Sequence, residues 1–115
     1  MPFQNHAART FKAAVIRREA PASSGVYGLS NAREWIYVGE TDNIQAGLLE
    51  HLEGTNTFRK GGLPTGFSFE FCPPHDRVMR QLQLIVELDP VCNEPMRRRP
   101  ESAYVGYFNS VRENY

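Results

Sequence analysis

Two short β-favouring runs, Val26-Tyr27-Gly28-Leu29 and Trp35-Ile36-Tyr37-Val38, flank the polar stretch Ser30-Asn31-Ala32-Arg33-Glu34. Branched and aromatic side chains suit an extended, half-buried backbone, and a polar connection this short turns the chain back on itself. The spacing predicts an antiparallel hairpin, and everything after it must pack against the sheet it begins. Thr41-Asp42 follows with N-cap chemistry, and Ile44, Leu48 and Leu52 then recur on one helical face, widened by Leu49. A helix from about Asn43 to Glu53 is expected. Gly54 stops it, and the stretch Gly61-Gly62-Leu63-Pro64-Thr65-Gly66 suits neither helix nor central strand.

Phe67-Ser68-Phe69-Glu70-Phe71 alternates strictly, the period of a strand with one aromatic face. Pro73-Pro74 breaks it. Asp76 then sits in the first turn of a second amphipathic segment carrying Val78, Leu82 and Ile85 on one face, so a helix is expected from about His75 to Leu88. Asp89-Pro90 ends that helix, because proline disfavours helical geometry in the residue before it. Upstream of the hairpin, Phe11 to Arg18 reads equally as helix or strand, and the Pro, Ser and Gly cluster of residues 21–25 marks a loop. The resulting division is an N-terminal extension over 1–23, a domain over 24–94, and an arginine- and aromatic-containing extension over 95–115 that packs back on it.

With 115 residues, the chain holds one domain's worth of material, and 41% apolar composition is enough for a modest core. The 13 basic side chains are matched by 13 acidic ones, which removes any broad attraction to polyanions. Contact with nucleic acid would have to come from a local patch. No stretch approaches the roughly 20 apolar residues that span a bilayer. Met1 to Arg18 lacks the apolar segment and cleavage site of a secretion signal, so a cytoplasmic location without membrane contact is the default expectation. Cys72 and Cys92 form no CxxC pair and have no histidine cluster beside them, so they read as bystander thiols.

Gly25-Val26-Tyr27 and Tyr37-Val38-Gly39, at hairpin spacing, are followed by Glu40-Thr41-Asp42-Asn43-Ile44 and by the helix ending Leu48-Leu49-Glu50-His51-Leu52. Leu84-Ile85, Pro90 and Asn93 close the pattern. Together these residues resemble the GIY-YIG nuclease superfamily. The resemblance implies a small α+β domain with a three-stranded antiparallel sheet flanked by helices, the same order of elements that periodicity predicts. It also implies metal-assisted phosphodiester cleavage, with the tyrosines matching Tyr27 and Tyr37 assisting the attacking water. An arginine in the first helix would stabilise charge on the phosphate, and a glutamate in the second would hold the divalent ion.

At both of those positions the chain departs from the pattern. Counting from Tyr37-Val38-Gly39, the arginine's place is taken by Gly47; counting back from Leu84-Ile85, the glutamate's place is taken by Gln81. Helical neighbours of Gly47 are Asn43, Ile44, Glu50 and His51, and those of Gln81 are Arg77, Val78, Leu84 and Ile85, so no residue one turn away supplies the missing group. A mid-helix glycine also weakens a helix by roughly 1 kcal/mol relative to alanine, unless something closely approaches its backbone.

The expected remnant groove consists of Tyr27, Tyr37, Gly39, His51 and Asn93, with Glu40 at its edge and no metal ligand set. Arg77, Arg80, Arg97, Arg98 and Arg99 are the candidate nucleic-acid contacts, partly neutralised by Glu94 and Glu101. Tyr104, Tyr107, Phe108 and Tyr115 are either core cover or a patch for a partner. The function expected is a catalytically inactive binding module for a protein partner, a second copy of the chain, or weakly held nucleic acid, with no cofactor. The alternative is a metal-dependent DNA endonuclease with non-standard catalytic residues, which would need magnesium.

Overall fold

The computed structural model describes Phe3 and residues 5–54 and 63–93. Four strands, β1 (Asn5–Thr10), β2 (Gly25–Ser30), β3 (Trp35–Thr41) and β4 (Gly66–Phe71), form one antiparallel sheet in the order β1-β4-β2-β3. Three helices, α1 (Ala13–Glu19), α2 (Ile44–Glu53) and α3 (Arg77–Leu88), complete the domain, the last entered through a single 3-10 turn at Pro74–Asp76. None of the described helices is long and apolar enough to cross a membrane. The architecture is α+β as expected, with four strands instead of three.

The extra strand is β1, which pairs antiparallel with β4. Its sequence carries a single β-branched residue, Thr10, so its strand character comes mainly from pairing with β4, a tertiary effect that outweighs local preference. The ambiguous segment from Phe11 resolves as α1, which packs against α2 over the same sheet face. Residues read as an N-terminal extension therefore contribute Phe11, Ile16 and Ala20 to the main core, together with Tyr27, Leu29, Ile36, Ile44, Leu48, Phe67 and Phe69.

On the opposite face, α3 packs against a second cluster of Phe3, Val26, Val38, Leu84 and Ile85. The two middle strands are thus covered on both sides, which is why β2 is buried from Gly25 through Leu29 and β4 from Gly66 through Glu70. Phe67 and Phe69 face α1 and α2, as the alternation predicts, while Glu70 is only 5% exposed on the other face. Its charge is met by Arg80 of α3 in a two-point pair, Nε to Oε2 at 2.8 Å and Nη2 to Oε1 at 3.0 Å. Such fork geometry is the arrangement in which a buried carboxylate keeps its hydrogen bonds.

Local chemistry fixes the connections. In the hairpin turn, Asn31 Oδ1 accepts from the amides of Arg33 and Glu34. The cap of α2 is Asn43, one residue beyond the expected pair, because its side chain accepts from the Ala46 amide at 2.9 Å. Thr41 Oγ1 in turn accepts from the Asn43 amide. The first two amides of α2, those of Ile44 and Gln45, donate to the carbonyls of Ser23 and Pro21, so the 21–25 loop anchors this helix end. Asp89 ends α3 in the left-handed region at φ 50°, ahead of Pro90.

Candidate functional site

Strands β2 and β3 present Tyr27 and Tyr37 toward the last turn of α2, where His51 meets both rings. Tyr27 Oη lies 2.7 Å from His51 Nε2, a hydrogen bond whose donor is set by the imidazole tautomer. The Tyr37 and His51 rings are 5.1 Å apart between centroids, and the two tyrosine rings 6.2 Å. Gly39 faces Tyr27 across the ladder. A Cβ at position 39 would lie 2.5 Å from Tyr27 Cζ and Oη, so the absence of a side chain there lets the phenol ring lie over β3.

In front of this cluster is an open cavity of about 320 Å³ lined by Tyr27, Glu40, Thr41, Gly47, Glu50, His51 and Gly54. Gly47 belongs to this lining. A Cβ on it would meet Thr41 Oγ1 and Tyr27 Cε1 at 3.4 Å, close to ordinary contact, so packing does not demand glycine at that position. Glu50, which the motif contains without a site role, and Gly54 also line it. The signal for Glu50 is helical spacing, because Glu50 and His51 lie three and four residues beyond Gly47 on one face, whereas Gly54 is read only as the helix stop.

Electrostatics in the cavity run toward neutral aromatics beside fixed acids. Burial pushes the Tyr27 phenol well above its ordinary value, and Tyr37, Glu50 and Glu40 add to the shift. Burial also raises Tyr37, helped by Glu40. Burial lowers His51 despite the opposing charge of Glu50. At neutral pH both phenols keep their protons and the imidazole is uncharged, so neither tyrosine is poised as a base.

The remaining expected site residues make contacts of their own. Asn93 lies along the outer side of β3, where its Oδ1 accepts from the Val38 amide at 2.9 Å and its Nδ2 donates to the Val38 carbonyl at 3.0 Å. Gln81 Nε2 donates to that same carbonyl at 3.2 Å. Arg77 reaches Glu40 Oε1 at 3.3 Å and Ser24 Oγ at 3.1 Å, and Arg80 is held by Glu70. Arg97, Arg98, Arg99 and the aromatic tail lie outside the described residues. Among the described residues, no three His, Cys, Asp or Glu side chains converge where a metal ion would sit.

A hairpin bearing Tyr27 and Tyr37, a helix crossing behind it and a third strand and helix closing the sheet define the fold of the GIY-YIG superfamily. Five solved chains share it. The GIY-YIG N-terminal endonuclease domain of UvrC from Thermotoga maritima, bound to magnesium as its catalytic divalent cation, superposes with a TM-score of 0.55 and 23% identity over 65% of this chain and 91% of that one. Two point mutants of that domain, each bound to its catalytic divalent cation, give TM-scores of 0.55 and 0.54 at 23% and 22% identity, again over 65% of this chain. No protein-family model matches the chain, and no curated protein does.

Proposed function

We propose that this chain is a non-hydrolytic domain of GIY-YIG fold that binds a protein partner through the Tyr27 cavity and its rim. The observation that carries the reading is the cavity lining, where the carboxylates of Glu40 and Glu50 flank the bare backbone of Gly47. A phosphodiester entering there meets the like charge of Glu50, and the guanidinium of Arg77 already shares its charge with Glu40. Metal-assisted hydrolysis needs a hard carboxylate ligand. At the position that matches the family glutamate, Gln81 offers an amide already directed at Val38. The residues present do not fit a catalytic cation.

Nucleic acid is the second reading, favoured by the likeness to an endonuclease domain and by the run Arg97-Arg98-Arg99. Fluorescence anisotropy with labelled single-stranded, duplex and branched DNA, with and without magnesium and at low and high salt, separates the two. The protein-binding reading expects no DNA complex at physiological salt. Affinity that falls steeply with salt and ignores magnesium would favour the second reading, since it reports phosphate contacts. Magnesium-dependent binding would overturn the proposal. Sedimentation of the chain over a range of concentrations tests whether the partner is a second copy.

A further inference from the structure

We propose that the cavity over Gly47 is a binding site for a guanidinium group, the head of an arginine side chain; this rests on the non-hydrolytic reading and names its ligand. Three observations on separate elements lead there. From α2, Glu50 lines the cavity with a carboxylate that has no ion pair or hydrogen bond among the described residues. From β3, Glu40 lines the adjacent wall; its Oε1 is paired with Arg77 at 3.3 Å, which leaves Oε2 as its open acceptor among the described residues. Between them lie the uncharged, proton-bearing Tyr27 and the neutral His51, whose rings stand 5.5 Å apart in an edge-on arrangement.

A cation is favoured by the carboxylates, and a planar one by the aromatic wall, because guanidinium stacks on ring faces and its fork of donors can reach two acceptors. A compact ammonium ion offers neither the plane nor the span. Space is available because Gly47 contributes no side chain, leaving about 320 Å³ open to solvent, room enough for an arginine side chain. The remaining hydroxyls are occupied: Thr41 Oγ1 exchanges hydrogen bonds with the Asn43 backbone, and Tyr27 Oη bonds His51. Glu40 and Glu50 are therefore the acceptors that set selectivity.

NMR titration of the full chain with N-acetyl-arginine methylamide tests the assignment, alongside the lysine analogue and the neutral citrulline analogue. Saturable shifts confined to Tyr27, Gly47, Glu50 and His51 are expected with arginine, several-fold weaker binding with lysine, and none with citrulline. Glu50→Gln, an exposed substitution that leaves the core intact, should weaken arginine binding by about tenfold, the effect of removing one charged acceptor. Gly47→Arg should abolish it by filling the cavity from within. Equal responses to arginine and citrulline, shifts away from the cavity, or an unaffected Glu50→Gln variant would overturn the proposal.

Replacing Arg97, Arg98 and Arg99 with alanine identifies the source of the group. Tighter binding of the added arginine in that variant assigns the natural ligand to the chain's own arginines, and unchanged binding assigns it to another molecule. A failed titration with no DNA cleavage would remove this inference alone. DNA cleavage in magnesium would remove the non-hydrolytic reading whatever the titration gives.

Discussion

Asn93 grips Val38 by both backbone groups, so one side chain outside the sheet completes the ladder of β3 where no strand does. The resemblance marks Asn93 as a groove residue, yet its amide is spent on backbone. Asn93→Ala leaves the buried Val38 amide unpaired and should destabilise the fold by about 1–3 kcal/mol, read by denaturant unfolding. Gly39 follows a steric logic. Gly39→Ala must displace the Tyr27 ring and should cost about 1–3 kcal/mol, with the Tyr27 and His51 resonances perturbed together. His51 carries a pH signature. Its folded pKa is below the ordinary 6.5, so the unfolded chain takes up the proton first, and stability falls as pH drops through 6.5 toward the folded value. His51→Gln should flatten that part of the melting-temperature profile; an identical acid slope in both proteins would remove the buried-imidazole account.

At the scale of elements, the hairpin, α2, β4 and α3 were all legible because their apolar periods are strong and their breakers lie where the elements end. Helix starts were less so: α2 begins at Ile44 because Asn43, not Thr41 or Asp42, reaches the Ala46 amide. β1 was illegible, since only Thr10 in Asn-His-Ala-Ala-Arg-Thr favours a strand and pairing with β4 supplies the rest. The same limit applied to Glu70, whose burial depends on α3 delivering Arg80. Tyr27, Tyr37 and His51 were legible as one site from motif spacing, whereas the joint placement of Glu40 and Glu50 on one cavity required the tertiary arrangement of β3 and α2. Within α2, Gly47 is a helix defect without a packing reason. Gly47→Ala should raise stability by up to about 1 kcal/mol, measured by thermal or urea unfolding.

Across the whole molecule, the sheet depends on the segment that precedes the family-like motifs. Phe11 stacks edge-on against Phe67, Ile16 is wholly buried, and Arg9 lies over the Phe69 ring at 4.7 Å while pairing with Glu19. A chain beginning at Ser24 would expose that core face and the edge of β4, and should lose its cooperative thermal transition by circular dichroism. The fold is shared with an endonuclease domain, while the proposed function rests on the chemistry of the cavity lining. The most direct test is incubation of the purified chain with supercoiled plasmid and a branched DNA in magnesium. A non-hydrolytic domain gives no nicking or resolution beyond the level of a Tyr27→Phe control; cleavage by the natural sequence that disappears in Tyr27→Phe would contradict that reading.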